Sequence, residues 1–278
     1  MSARLPTSLR RGGAVTAHEF GAAELQLELE GGFALWSGDE VRELPLSAQR
    51  VLAYVALHDR PLLRVFVAGS LWPGSNDARA TASLRTSIWR LQKSSPRPVV
   101  ASTRHIALSE SVVVDARLTR DAARNALLAA SRITAGELAR LVEAQDLLPD
   151  WYDDWVMELR EQVREERCHA LEALCMELTA AARFSDAARA GLAAVACDPL
   201  RESAHRALIH LHVAEGNAGE AVRRYEEYAR LLERKLGLAP SQLMDDLVAG
   251  VVSANAVDPA YSSSARGWSR TRRQQPVQ

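Results

Sequence analysis

A 34-residue internal repeat constrains the second half of this sequence more than any other feature. The segment 182–187, ARFSDA, aligns with the segment 216–221, GNAGEA, and Ala173 matches Ala207 at the same offset. Small side chains at matching positions let neighbouring helices approach each other closely. Because a single helical unit of this size cannot bury its apolar face alone, the repeat indicates pairs of helices stacked on one another.

Thirty-four residues is the period of tetratricopeptide helix pairs, and Pro199 is placed to end the second helix of one pair. The chain has a helical pattern almost throughout from about Leu118, with helices predicted at 119–131, at 137–145 and from about 155 to 182. We therefore predict an all-α, tetratricopeptide-like helical repeat domain over residues 119–252.

The pattern of residues 20–118 differs, and it predicts an α+β domain. Leu25, Leu27 and Leu29 alternate with polar residues, as in a half-buried strand. We expect this strand and two further strands to form a small antiparallel sheet of about three strands. Helices and a hairpin then follow. The predicted elements are strands at 25–29, 33–36 and 41–44, helices at 47–59, 64–72 and 77–93, a hairpin of 99–100 with 106–108, and a further strand at 112–114, with Ser47 and Asn76 or Asp77 as helix N-caps.

The formal net charge of −1 conceals an uneven distribution of charge. Residues 47–104 contain nine Arg and Lys against two acids, whereas residues 119–252 contain sixteen Arg and Lys against twenty-three acids. This division indicates two domains, of which the basic one attracts phosphate and the acidic one repels it. Residues 1–19 are interpreted as a flexible leader and residues 253–278 as a disordered tail, because both lack apolar periodicity.

Several protein classes are excluded by the same reading. No apolar run approaches the roughly 20 residues of a membrane-spanning helix, and the first twenty residues lack the apolar stretch of a secretory signal. The three cysteines have no C-x-x-C spacing, which favours a reducing compartment. We therefore expect a cytoplasmic protein with no membrane partner.

The third predicted helix carries the strongest functional signal. Leu84, Ile88 and Leu91 form one apolar stripe, and no acid occurs between Ala78 and Lys93. Guanidinium, hydroxyl and small side chains on the opposite face suit the DNA major groove, although a solvated basic face is the alternative. Since the hairpin that follows contains a further arginine, the order of elements is that of a winged helix-turn-helix. The candidate DNA contacts are Arg79, Ser83, Arg85, Thr86, Trp89, Arg90 and Lys93, with Arg64 and Arg104 beside them.

Two of these residues have a second interpretation. The Trp89 ring either packs on the hairpin as partly buried core, which we favour slightly, or it contacts sugar and bases. Arg64 opens the second helix, where the helix dipole favours a phosphate, and a surface salt bridge is equally consistent with its position.

Catalytic and cofactor motifs are missing from the sequence. It contains no G-x-x-x-x-G-K-[ST], G-x-G-x-x-G or G-x-S-x-G segment. His205, His210 and His212 are not joined by an acid or cysteine that would complete a metal site, and Cys168 and Cys175 fit small core positions better. We expect neither an enzyme nor a bound cofactor.

Several segments resemble the bacterial transcriptional activator domain: 148–156, LPDWYDDWV; 161–167, EQVREER; 169–174, HALEAL; 198–208, DPLRESAHRAL; 214–217, AEGN; and 225–228, YEEY. Upstream, 49–53 (QRVLA), 71–73 (LWP) and 79–91 (RATASLRTSIWRL) resemble the OmpR-type winged helix that is joined to that domain. Together they are similar to the Streptomyces antibiotic regulatory protein family. The resemblance is to the small form of the family, for which we expect no ATPase domain and no nucleotide-driven control, although 64–67 (RVFV) departs from the usual Ser and acidic start of the second helix.

The resemblance implies a transcriptional activator. Family members bind direct repeats in double-stranded DNA near promoter −35 elements, as a homodimer or as side-by-side protomers, and recruit RNA polymerase holoenzyme to antibiotic biosynthesis genes. It also implies a nucleoid-associated location, with residues 78–93 as the recognition helix. The polymerase-facing loop would consist of Trp72, Pro73, Gly74, Ser75, Asn76 and Asp77. The alternative function is that of a helical-repeat protein-interaction adaptor with a structural N-terminal domain.

Overall fold

The computed structural model describes residues 25–93 and 95–254. The predicted leader and the predicted tail therefore lie outside the described residues, except that Ser253 and Ala254 are helical. The chain divides into two compact units between Ala170 and Leu171. This division falls inside a long helix, whereas the domain boundary predicted at 118/119 follows the change in sequence pattern and stays a prediction.

The first unit contains all of the described strands. Its elements, in order, are β1 (Leu25–Glu28), β2 (Ala34–Ser37), β3 (Glu40–Val41), α1 (Leu46–Ala56), β4 (Leu62–Leu63), α2 (Arg64–Leu71), α3 (Asp77–Gln92), β5 (Val99–Ala101), β6 (His105–Leu108), β7 (Val112–Val114), α4 (Asp115–Ala129), a 3-10 turn (Ala130–Arg132), α5 (Ala135–Glu143) and the start of α6 (Asp154–Ala180).

The N-terminal sheet has one strand more than the sequence predicted. Its order is β3-β2-β1-β7, in which β7 lies parallel to β1 and pairs Val112 with Leu25. Leu25 and Leu27 are buried, as the alternating pattern predicted. The antiparallel pairing of the first three strands is confirmed, whereas the addition of β7 was not predicted, because the partner of β7 lies more than eighty residues away and leaves no local signal.

The predicted hairpin after the third helix is confirmed. β5 and β6 pair in antiparallel fashion, and the two-residue strand β4 extends this second sheet by pairing Leu62 with Ile106. Helices α1 to α3 share one hydrophobic core with strands of both sheets, and this core includes Leu52, Leu84 and Leu91. The first unit thus contains three helices, and a short hairpin follows the third of them.

The bounds of two helices correct details of the prediction. Helix α1 begins at Leu46, one residue before the predicted N-cap Ser47, because the extended backbone of Pro45 provides the N-cap and its carbonyl accepts from Ala48 N at 2.8 Å. Helix α2 ends at Leu71 and not at Trp72. The predicted cap of α3 is confirmed, since the side chain of Asn76 accepts from Arg79 N at 2.9 Å.

The second unit contains the end of α6, α7 (Phe184–Cys197), α8 (Glu202–Ala214), α9 (Ala218–Leu236) and α10 (Gln242–Ala254). The 34-residue repeat is visible in its backbone, because Ala182 and Gly216 occupy matching turns that precede α7 and α9. Ile209, Tyr228, Leu232, Met244 and Val248 belong to its core. None of the helices in residues 25–93 and 95–254 is long and apolar enough to cross a membrane.

Candidate nucleic-acid interface

Helix α3 has one buried and one exposed face. Leu84, Ile88 and Leu91 are at most 4% exposed and pack into the core of the first unit, as the apolar stripe predicted. The side chains on the other face are exposed, apart from the half-buried Ser83. They are Arg79, Ala82, Arg85, Thr86, Trp89, Arg90 and Lys93. The exposed face therefore combines four cations with hydroxyl and small side chains.

The electrostatics of this face are uniformly positive. The acid nearest to it on the helix is Asp77, in the first turn, where a carboxylate complements the positive end of the helix dipole. The Arg90 guanidinium donates to Ser47 Oγ at 3.4 Å, and Thr86 Oγ1 donates to the carbonyl of Ala82 at 3.1 Å. These contacts leave the charge of α3 directed outward.

The position of the Trp89 ring differs from the one that the sequence favoured. The ring is 57% exposed and does not pack on the hairpin as partly buried core, and the Lys93 ammonium lies 4.5 Å from the ring centroid. Ile88 and Leu91 already occupy the buried side of the helix, so Trp89 projects away from it. The contact with Lys93 is a cation–π interaction, which holds an aromatic surface among the basic residues.

Arg64 and Arg104 are brought together by the second sheet. Arg64 N donates to the carbonyl of Arg104 at 2.8 Å, and the Arg64 guanidinium donates to the carbonyl of Ser102 at 3.1 Å. The hydroxyl of Ser102 accepts from His105 N at 3.0 Å, which orders the turn between β5 and β6. Arg64 is thus anchored to the hairpin turn, while Arg104 is exposed there.

The loop between α2 and α3 is anchored at both ends and exposed between them. Ser75 N donates to the carbonyl of Trp72 at 3.0 Å, and Asn76 caps α3. Pro73, Gly74, Asn76 and Asp77 are exposed, and Trp72 and Ser75 are half-buried. The six residues therefore present a short, ordered surface.

Arg50 stabilises this loop in a way that the sequence analysis missed. Its guanidinium donates to the carbonyl of Leu71 at 2.9 Å and lies 6.0 Å from the centroid of the Trp72 ring. The same group forms an ion pair with Asp153, just before α6. Because Arg50 and Asp153 are 103 residues apart, no sequence motif announces their contact.

Aromatic packing joins the start of α6 to the same core. Phe33 stacks on Trp151 with centroids 5.9 Å apart, and Tyr54 meets the edge of Trp155 at 5.1 Å. No local sequence pattern indicates these partners. The first turns of α6 are therefore part of the unit that holds α3.

His205, Cys168 and Cys175 are buried packing residues. His205 lies 4.3 Å from the Tyr228 ring and its Nε2 is 2.9 Å from the carbonyl of Pro199, while burial lowers its pKa. Cys168 and Cys175 are buried, as expected, and burial raises the pKa of Cys175 to about 11. Residues 25–93 and 95–254 contain no His, Cys, Asp and Glu cluster that could hold a metal ion.

The fold and the exposed surface define the class of protein: a small α+β unit with an exposed basic helix, continued by stacked helix pairs. Residues 114–251, from the end of β7 into α10, match the model of the bacterial transcriptional activator domain. The chain is also similar to a solved structure of Mycobacterium tuberculosis EmbR in complex with a low affinity phosphopeptide. That likeness has a TM-score of 0.65 and 20% identity, and it covers 88% of this chain and 69% of EmbR.

A search of the curated proteins found no match. The matched domain supports a transcriptional activator of the type built on the bacterial transcriptional activator domain, and the likeness to EmbR supports the fold. The predicted resemblance to that domain is thereby confirmed for the second half of the chain.

Proposed function

We propose that this protein is a sequence-specific DNA-binding transcriptional activator of the small Streptomyces antibiotic regulatory type. The basic face of α3, which nothing covers in the described residues, carries the proposal. In this proposal residues 20–118 are a winged helix-turn-helix domain, and residues 119–252 are an activator domain with tetratricopeptide-like helix pairs.

Helix α3 enters the major groove in this mechanism. Arginine binds the edge of guanine through two hydrogen bonds, and hydroxyl groups contact bases or phosphates. Arg79, Arg85, Arg90 and Lys93 are long enough to reach past the exposed Ala82, whose methyl group permits close approach. The hairpin turn with Arg104 acts as the wing on the DNA backbone.

The finer points rest on the sequence resemblance. Two protomers bind direct repeats near the −35 element, as a homodimer or side by side, and the loop of residues 72–77 faces RNA polymerase holoenzyme. The regulated genes form a secondary-metabolite cluster, and the protein is cytoplasmic and associated with the nucleoid. In this proposal residues 20–118 contact DNA and residues 119–252 do not. The surplus of acids in residues 119–252 supports this arrangement, because an acidic domain is repelled by DNA.

The salt dependence of DNA binding tests the proposal. We would measure fluorescence anisotropy at several salt concentrations with DNA from the promoter next to the gene for this protein. The wild type would be compared with the double variant Arg90→Ala, Lys93→Ala. Each lost phosphate contact reduces the slope of log K against log salt by about 0.9, so loss of both contacts reduces the slope by about 2.

The chain offers a matched control. Arg234 and Lys235 are likewise one exposed arginine and one exposed lysine at the end of a helix, α9. Arg234→Ala with Lys235→Ala should leave affinity and slope unchanged. Equal slopes for all three proteins would contradict the assignment of α3. The absence of any sequence selected from randomised DNA, together with a stable non-polymerase partner, would favour the adaptor function.

A further inference from the structure

The end of β1 meets the start of α4 through the half-buried carboxylate of Asp115. Asp115 accepts from Leu29 N at 2.9 Å, from Glu30 N at 3.0 Å and from Ala116 N at 2.6 Å. Glu30 thus binds Asp115 through its backbone amide and carries a second carboxyl group next to this contact. Two acids share one partly enclosed site, which the proposed DNA binding does not use.

The loop before α6 closes the other side of this junction. Gly31 N donates to the carbonyl of Asp146 at 2.9 Å, and Leu148 N donates to the carbonyl of Leu29 at 2.8 Å. Glu30 also forms an isolated antiparallel bridge with Leu147. The two hydrogen bonds thus hold the first strand to the segment that leads into α6.

The Glu30 side chain lines a small cavity at this point. The cavity has a volume of about 20 Å³, roughly the space of one water molecule. Glu30 and Thr119 line it, and Glu30 Oε1 is a buried oxygen without a hydrogen-bond partner in the described residues. An ionised carboxylate at this position is poorly solvated, so the neutral acid is favoured.

Other charged groups face this site from every neighbouring element. The cations are Arg140 from α5 and Arg160, Arg164 and Arg167 from α6, and the other acids are Glu28 from β1 and Asp146 from the loop. Three of these cations have contacts of their own. Arg164 Nε donates to Glu161 at 2.9 Å. Arg167 donates to the carbonyls of Leu141 and Val142, and Arg160 Nε donates to the carbonyl of Leu147 at 2.7 Å.

The balance of these effects favours a proton on Glu30. Burial and the neighbouring Asp115 raise the pKa of Glu30 to about 7, against smaller lowering effects from Thr119, Arg167 and Arg140. Burial also raises the pKa of Asp115 to about 6, although its three backbone donors favour the charged form. Because only Asp115 has these donors, Asp115 ionises first and Glu30 keeps the proton.

We propose that Glu30 and Asp115 form a pH-dependent latch that holds β1, the start of α4 and the loop before α6 together while one proton remains on the pair. Loss of that proton leaves the negative charges of Glu30 and Asp115 to repel each other in a site with little room for water. The folded state then loses the protons that it bound more tightly than the unfolded chain. Its stability therefore falls as pH rises from about 4.5 through about 7.

Amide hydrogen exchange tests the latch directly. We would measure protection factors of the Gly31 and Leu148 amides, corrected for intrinsic exchange, at about pH 6 and about pH 8. In the wild type they should fall by on the order of tenfold between these values. In Glu30→Gln, which retains the shape without the ionisation, they should change less than about threefold.

Glu40→Gln is the control, because Glu40 is an exposed acid of the same sheet, and it should behave as the wild type. Equal pH dependence in the wild type and in Glu30→Gln would overturn the latch. A carbon-13 NMR titration of the wild-type Glu30 carboxyl group keeps the proposal falsifiable if that variant does not fold. A midpoint near 7 supports it, and a midpoint near 4.5 refutes it. Neither measurement involves DNA, so the latch and the proposed function fail independently.

Discussion

Ala182 has the same left-handed backbone conformation as Gly216, the residue thirty-four positions later. The φ angles are +56° and +79°. Ala182 N donates to the carbonyl of Thr179, and Gly216 N donates to that of Val213, both at 3.0 Å. The repeat thus preserves a backbone turn, which one copy makes with glycine and the other with alanine.

This difference predicts opposite effects of exchanging the two residues. A residue with a Cβ atom pays about 1 kcal/mol for left-handed backbone that glycine adopts freely. Ala182→Gly should therefore raise the free energy of unfolding by about 1 kcal/mol, and Gly216→Ala should lower it by a similar amount. Urea denaturation measures both. A shift of both midpoints in the same direction would disprove the equivalence of the turns.

Gly191 lets α7 approach its two neighbours in the second unit. A Cβ atom there would lie 2.9 Å from the Cys175 Sγ atom and 3.0 Å from Leu208 Cδ1. Gly191→Ala should therefore lower the free energy of unfolding by about 1–3 kcal/mol, because the packed side chains must move. Gly219→Ala is the control: a Cβ atom there meets nothing within 4 Å, so we expect no loss of stability. Thermal melting distinguishes the two.

Trp89 and Trp155 should respond differently to removal of the ring. Trp89 is exposed, so Trp89→Ala should change the free energy of unfolding by less than about 1 kcal/mol, the value of its contact with Lys93. Trp155 packs against the core beside Tyr54, and Trp155→Ala should cost about 3 kcal/mol.

DNA affinity separates the two tryptophans a second time. If α3 binds DNA, Trp89→Ala should weaken binding at a stability near that of the wild type, as measured by anisotropy. A large loss of stability in Trp89→Ala would instead return its ring to the core, contrary to its 57% exposure.

We predict that protonation of His205 lowers the free energy of unfolding at acidic pH. Burial lowers its pKa below the ordinary 6.5, so the unfolded chain binds a proton that the folded state refuses. The stabilisation is complete above pH 6.5 and is lost as pH falls through the lower folded pKa, by at most about 1.4 kcal/mol per pH unit. This sign is opposite to that of Glu30, which loses stability as pH rises.

The corresponding experiment compares urea denaturation of the wild type and His205→Gln between about pH 5 and about pH 7. The difference in stability between the wild type and His205→Gln should shrink as pH falls, because only the wild type loses the His205 contribution, whereas His210 and Glu30 contribute equally to both proteins. His105→Gln, at an exposed position on β6, should not alter the profile. Identical profiles for the wild type and His205→Gln would contradict the role of burial.

Local periodicity predicted most of the elements and the two faces of α3. Leu25 and Leu27 alternate with polar residues, and Leu84, Ile88 and Leu91 recur at helical spacing, so the residue types alone indicate which side is buried. The hairpin after α3 was equally accessible, because its strands are separated by a few residues. The DNA contacts assigned to α3 stay predictions.

The features that the sequence did not predict are contacts between residues far apart along the chain. The parallel pairing of β7 with β1, the ion pair of Arg50 with Asp153 and the site shared by Glu30 and Asp115 each join segments more than eighty residues apart. The Trp89 ring was misplaced for a related reason. Its exposure depends on which side chains already fill the core of the first unit.

The sequence by itself determined the elements, the uneven distribution of charge and the 34-residue repeat, because each depends on residues that are close along the chain. Only the tertiary structure decided that the start of α6 packs into the unit that holds α3, and that Glu30 is enclosed beside Asp115. Burial and electrostatic interactions depend on distance in space, and folding sets those distances only when distant segments meet.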